Sequence, residues 1–174
     1  MVAASDLVPN LARITGLPLS TVIGVKRRLV ETGIWPSSRG ATVPKLNTRH
    51  TVMMLLALLT DVPAKDAASA ACAYYALMDP TGRNGLGDVL VNMINSFKSA
   101  SDTAALAYKS RIEVDCDRPR ACLSIETIEG QCETLFGIQS APWSDIRVRR
   151  SMTISGKCLF DLACGLHFNR WESA

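Results

Sequence analysis

The sequence predicts an α+β chain. Three observations carry that prediction: apolar residues recur every three to four positions through roughly the first hundred residues, the spacing shortens to alternation from Tyr108, and a final apolar run from Gly156 to Leu166 returns to the helical period. The expected order is an N-terminal helical region, then a small antiparallel β-sheet, then a C-terminal helix that caps the sheet. A hydrophobic fraction of 48% over 174 residues is enough for the core of one compact domain or two small ones, so disorder is not the expected state.

The most specific segment is Leu11-Ala-Arg-Ile-Thr-Gly-Leu-Pro-Leu-Ser-Thr-Val-Ile-Gly-Val-Lys-Arg-Arg-Leu29. Two short helices packed at a steep angle need a small residue at their crossing, a glycine in the turn and apolar residues locking the second helix. Ala12, Gly16, and then Val22, Val25 and Leu29 meet those needs in order, with Leu11, Ile14 and Leu17 completing a small core. Pro18 cannot continue the first helix but suits entry to the second, which starts near Leu19 with Ser20 or Thr21 accepting from its orphan N–H groups. The spacing predicts a helix-turn-helix with a basic second helix.

If Val22, Val25 and Leu29 face inward, Ser20, Thr21, Gly24, Arg27 and Arg28 face outward, with Ile23 and Lys26 on the flanks. In such a unit the start of the second helix approaches base edges of duplex DNA while basic residues hold phosphates. Ser20, Thr21 and Gly24 are small enough for close approach, and Lys26, Arg27 and Arg28 reach phosphates or a guanine edge. Arg13 on the first helix is another phosphate candidate. After Gly33, Ile34-Trp-Pro36 leads into a segment over 37–49 that reads either as a β-wing or as a basic linker, and Arg39, Lys45 and Arg49 are placed on it to reach the DNA backbone. The bland alternative for the whole unit is a surface helical hairpin with solvated charges.

Net charge is +3, but it is unevenly divided: residues 1–50 carry seven Lys or Arg against two Asp or Glu, and residues 51–174 carry twelve against fourteen. The positive charge belongs to the segment with the helix-turn-helix, as a duplex-binding surface requires. The longest apolar run, Val52 to Leu59, is too short to cross a bilayer, and the first residues lack a signal-like pattern, so no membrane association and a cytoplasmic, nucleoid-associated location are expected. Cys72, Cys116, Cys122, Cys132, Cys158 and Cys164 form no Cys-x-x-Cys pair and have only His50 and His167 for company. No metal site is expected, and most of the cysteines read as small buried hydrophobes.

Asn47 or Thr48 caps a helix running to Thr60, and Asp61-Val-Pro63 opens another through Leu77. Their apolar surface (Met53, Leu55, Leu56 and Leu59, then Ala71, Tyr74, Tyr75 and Leu77) is broader than the N-terminal unit can cover, so later helices or a second subunit must bury it. Asp79 to Gly87 is glycine-rich but lacks the ending of a phosphate loop and reads as a turn, before Asp88 caps a third helix through Lys98. Arg111 to Cys116 and Ala121 to Glu126 form a hairpin, Cys132 to Ile138 and Ile146 to Ile154 supply a third and a fourth strand, and Leu159, Phe160, Leu162, Ala163 and Leu166 pack the closing helix on the sheet. The chain thus divides into a helix-turn-helix unit at 1–46, a helical packing or oligomerisation region at 47–107 and a β-rich domain at 108–174.

Enzyme sites need convergent titratable groups, and few are offered. His50 reads as a cap neighbour or phosphate contact, and Asp115 and Asp117 as exposed charges paired with Arg118 and Arg120. Neither catalysis nor a cofactor is expected.

The stretches Leu11-Ala-Arg-Ile-Thr-Gly-Leu-Pro-Leu-Ser-Thr-Val22, Arg28-Leu-Val-Glu-Thr-Gly-Ile-Trp-Pro36, Arg39-Gly40 and Thr48-Arg-His-Thr-Val-Met-Met-Leu-Leu-Ala-Leu-Leu59 resemble small helix-turn-helix proteins encoded around prophages and gene transfer agents of alphaproteobacteria. The later hairpin and final strand and helix look like the tail of those proteins. Some of that group are similar to transcriptional activators of gene transfer agent clusters. The resemblance implies a regulator that binds promoter DNA as a homo-dimer or oligomer, with RNA polymerase or a DNA-bending host factor as a further partner. A phage-type small terminase subunit recognising packaging-site DNA fits the same parts, and a non-catalytic adaptor is a third reading. Pro63, Gly82, Gly85 and Gly87 interrupt the long helices that a ring-forming terminase subunit needs, which favours the regulator.

Overall fold

A glycine ends the first helix, and much of the N-terminal architecture follows from it. The computed structural model describes residues 2–37, 45–99, 101–137, 150–168 and 170–171. Helix α1 (Ala4–Thr15) stops at Gly16, whose φ of 70° is left-handed; an L side chain there costs about 1 kcal/mol. Leu17 and Pro18 complete the connection, and α2 (Leu19–Glu31) begins where the sequence predicts. Leu7, Val8 and Leu11 of α1 and Val22, Val25 and Leu29 of α2 are buried. Each such side chain stabilises the fold by about 1.5–3 kcal/mol.

Strand β1 (Val2–Ala3) leads directly into α1 and pairs antiparallel with β2 (Lys45–Leu46), Val2 opposite Leu46 and Ala3 opposite Lys45. Among the described residues β2 therefore finds its partner near the start of the chain and not in an adjacent wing strand. Arg39, with the rest of 38–44, lies outside the described residues.

Asn47 caps α3 (Thr48–Leu59) reciprocally: its side chain accepts from the His50 N–H at 3.0 Å, and its own N–H donates to His50 Nδ1 at 3.2 Å. Every residue from Thr51 to Thr60 is buried. Helices α2, α4 (Ala67–Tyr75) and α5 (Leu86–Ser96) all pack on α3. The apolar surface left by the sequence to later helices or a second subunit is thus covered by this chain itself.

The second of the apolar helices is shorter than the spacing predicts. Asp61 adopts a φ of 48°, which a short polar side chain tolerates, and Ala64–Asp66 make a 3₁₀ turn before α4 starts. Asp88 does not cap α5; that helix starts two residues earlier, behind Gly85, and Asp88 Oδ1 instead accepts from the Tyr75 hydroxyl at 2.8 Å. A further short helix, α6 (Asp102–Tyr108), is capped by the Ser101 hydroxyl and has too few turns to show a period in the sequence.

Strands β3 (Ser110–Asp115), β4 (Arg120–Thr127), β5 (Gly130–Gly137) and β6 (Ser151–Ser155) form an antiparallel sheet in the order β5-β4-β3-β6. The predicted start of the fourth strand at Ile146 lies outside the described residues. Register places Ile112 opposite both Leu123 and Ile154, and Ala121 opposite Phe136, so alternation delivers one continuous buried face. Helix α7 (Gly156–Phe168) touches β3 and β6 as well as α1, α5 and α6, and Leu159, Leu162, Ala163 and Leu166 are its buried residues among those predicted. Phe160 instead lies edge-on between Phe97 and Tyr108. A single apolar cluster runs from Leu7 to Leu166, and the fold is α+β.

Two local expectations change at the β3–β4 turn and among the cysteines. Asp115 and Arg120 are buried, not exposed: Asp115 Oδ1 accepts from the N–H groups of Asp117 at 2.9 Å and Arg118 at 3.2 Å, which folds the carboxylate into the turn. The Tyr74 hydroxyl from α4 lies on the carbonyl oxygens of Asp115 and Arg118, the latter at 2.6 Å, and fixes this turn to the helical layer. Of the six cysteines, only Cys116 and Cys122 are buried. Cys132 on β5 and Cys72 on α4 are exposed, and Cys158 and Cys164 on α7 are half-buried. Among the described residues no helix is long and apolar enough to cross a membrane.

Candidate nucleic-acid interface

Helix α2 carries its apolar stripe inward, and the remaining positions show what it offers outward. Ser20 and Thr21 are exposed, Lys26 is half-buried, and the Arg27 and Arg28 side chains are 81% and 48% exposed. The predicted outward placement of Gly24 is corrected. Gly24 is half-buried beside the 3₁₀ turn, and a Cβ added to it would lie 3.9 Å from Ala64 Cβ. The sequence reading puts Gly24 on the outer face and Ile23 on its flank, one residue apart. Tertiary packing separates them, closing the flank of Gly24 and leaving Ile23 open at 50% exposure, with Leu19 at 47%.

The cationic end of α2 is internally compensated. Arg27 Nε donates to Glu31 Oε1 at 2.8 Å, and Arg28 NH1 donates to Glu31 Oε2 at 2.8 Å. These bonds, that from Arg27 foremost, hold the Glu31 carboxyl below its ordinary pKa. Sequence reasoning passed over Glu31, although its spacing of three and four residues from the arginines marks it as their helical neighbour.

The other predicted phosphate contacts sit on separate elements. Arg13 is exposed in the last turn of α1, and Lys45 is exposed on β2 opposite Ala3. Arg49, in the first turn of α3, is exposed but lies over the Tyr75 ring, 5.1 Å from its centroid. That ring rests on Gly87, where an added Cβ would come within 2.3 Å of it, and burial with the bond to Asp88 raises the Tyr75 pKa. Arg49 is thus drawn toward the α4–α5 junction instead of joining the cations of α2.

The end of α2 is anchored. Trp35, buried just beyond it, donates its indole N–H to the His50 carbonyl at 2.7 Å, tying the segment after α2 to the first turn of α3. His50 fills the cap-neighbour role expected of it. Its Nδ1 accepts in the cap, so the neutral ring carries its proton on Nε2. Burial and then Arg49 lower its pKa.

A cleft of about 450 Å³ is lined, among the described residues, by Ile34, Asn47, Arg49, His50, Met53 and Cys72, none of which is a carboxylate. Among the described residues no three or more His, Cys, Asp or Glu side chains gather as a metal site would need. What the exposed side of α2 can do chemically is hydrogen-bond through two hydroxyls, bury two aliphatic side chains and attract anions through its arginines. Comparison with known protein families, curated proteins and solved structures finds no match to the chain.

Proposed function

We propose that this chain is a sequence-specific double-stranded DNA-binding transcriptional regulator, an activator of phage-like or gene transfer agent genes, and that α1 and α2 act as its helix-turn-helix. The observation that carries the reading is the division of α2. One stripe, Val22, Val25 and Leu29, is buried, while Ser20, Thr21, Arg27 and Arg28 are exposed on the same short helix. Small polar residues at the start of a groove helix suit base edges, and guanidiniums further along suit phosphates. The concentration of positive charge in residues 1–50 supports the same assignment. The likeness of residues 11–59 to prophage and gene transfer agent proteins supplies the class of target genes. Self-association, a nucleoid location and contact of the β-rich part with RNA polymerase or a DNA-bending host factor belong to this proposal.

The packaging reading is less well supported. A terminase subunit uses a helical hairpin to assemble a ring, and here α3, the most apolar helix of that region, is enclosed by its own chain. Footprinting of the purified full chain on fragments of its own genome, combined with particle mass in solution, tests the proposal. Protection of discrete promoter sites by a monomer or dimer, with affinity that drops steeply as salt rises, is the expected result. A large ring, or duplex binding that is absent or indifferent to salt, would overturn it.

A further inference from the structure

Leu19 and Ile23 stand one helical turn apart on a single flank of α2 and are 47% and 50% exposed. They are unusual company for the exposed Ser20, Thr21, Arg27 and Arg28. The other exposed large hydrophobics among the described residues (Met78, Leu106, Tyr108, Ile128 and Phe168) all lie outside α2. Burying both would remove apolar surface from water, and the neighbouring charges say what kind of surface would cover them. An apolar pair beside two guanidiniums suits a partner whose rim is anionic and whose floor offers small apolar groups. Two side chains are also far too few for a stable protein interface, which needs about 800 Å² from each partner.

We propose that Leu19 and Ile23 read thymine methyl groups in the major groove. This rests on the reading of α2 as the groove helix. The thymine C5-methyl is the apolar group that base edges present in that groove. The alternative direct code is missing from this part of the helix: Leu19-Ser-Thr-Val-Ile-Gly24 contains no Asn, Gln, Arg or Lys to make a bidentate bond to adenine or guanine. Ser20 and Thr21 supply single hydrogen bonds that many bases satisfy. Discrimination at the start of α2 therefore falls to Leu19 and Ile23, and the preferred site contains thymines at the positions they cover.

The experiment uses the full chain. Duplexes enriched from a random pool by the wild-type protein are remade with deoxyuridine in place of each thymine, which deletes only the methyl. Burying one methyl group corresponds to about a fourfold change in affinity, and wild type loses that factor at the thymines facing Leu19 and Ile23. Ile23→Ala binds the thymine duplex correspondingly more weakly and no longer distinguishes it from the deoxyuridine duplex; Leu19→Ala does the same at its own position. Both residues are exposed, so circular dichroism and melting of the variants remain those of wild type. Equal binding of both duplexes by wild type overturns the proposal, as does an Ile23→Ala variant that keeps the thymine preference. If the alanine variants bind DNA like wild type but turn a dimer into a monomer by sedimentation, the pair is a subunit contact and the proposal fails while the DNA reading stands. Enrichment of no sequence by wild type overturns the DNA reading beneath it.

Discussion

Arg27 Nε donates to Glu31 Oε1 at 2.8 Å across one turn of α2, and Arg28 occupies the other oxygen of that carboxylate. An acidic group in the last turn opposes the helix dipole, so Glu31 is held there by its arginines. The side chains are exposed, and such pairs exchange readily with other partners. A phosphate arriving at Arg27 or Arg28 displaces Glu31 or shares the guanidiniums with it. Glu31→Gln should therefore tighten duplex binding at low salt and steepen the dependence of log K on log salt by about 0.9, the effect of one additional phosphate contact. Salt titration by fluorescence anisotropy measures both; an unchanged slope would mean that the carboxylate does not compete with DNA.

Alanine at Arg27 and Arg28 together should act in the opposite sense. The slope should become shallower by about 1.8, two phosphate contacts, with binding weakened to a similar extent on all sequences. Neither side chain contributes to the core, so the melting temperature should stay near that of wild type. A folded double variant with unchanged affinity would show that DNA does not meet this part of α2.

Gly24→Ala separates groove contact from packing. An added Cβ at 3.9 Å from Ala64 makes an ordinary contact, and alanine is the better helix former, so stability by urea unfolding should rise by about 0.5–1 kcal/mol. DNA affinity should be retained. A large loss of affinity with normal stability would return Gly24 to the groove face.

The cap of α3 makes stability pH-dependent. His50 has a pKa below its ordinary 6.5 because burial and then Arg49 disfavour the imidazolium, and protonation also removes the Nδ1 acceptor that the Asn47 N–H uses. The unfolded chain takes up this proton more readily, so its contribution is complete above about pH 6.5 and declines as pH falls below it. His167, shifted down by burial and then by Lys98, acts in the same direction. His50→Gln preserves a side-chain acceptor at the cap without titrating, and should flatten part of the loss of stability between neutral and mildly acidic pH in urea denaturation curves. A pH profile identical to wild type would place the dependence elsewhere.

Tyr74→Phe should cost about 1–3 kcal/mol in the same assay, because it removes the hydroxyl donor from the Asp115 carbonyl at a buried turn and leaves the Arg118 carbonyl with the Arg120 N–H alone. DNA affinity should not change. Loss of DNA binding in a folded Tyr74→Phe protein would mean that the sheet and the helical layer are coupled more closely than this contact suggests.

Local signals in the chain proved readable where the deciding atoms are close in sequence. Gly16 ends α1, α2 starts at Leu19, Asn47 caps α3, and alternation finds the β3–β4 hairpin. The same reading failed where a distant neighbour decides. Gly24 reads as outward and Ile23 as its flank until the turn at Ala64 covers the glycine, and Arg49 looks free until Tyr75 from α4 arrives beneath it. Asp115 and Arg120 read as surface charges because burial beside a turn is a property of the assembled layers. Glu31 is different. Its partners lie within one helical turn, so its spacing of four and three residues from Arg27 and Arg28 makes the pairing legible in the sequence itself.

Helix α3 has no side left for water: from Thr51 to Thr60 every residue is covered. Such an element opens only when the whole structure opens, so its amides should be among the slowest in the molecule to exchange with deuterium. Because α2 packs on it and Trp35 pins the following segment to His50, the outward side chains of α2 stand on a platform that does not yield. Little backbone ordering is then left to be done on association, and the heat and entropy of binding should be those of a preformed surface meeting its target.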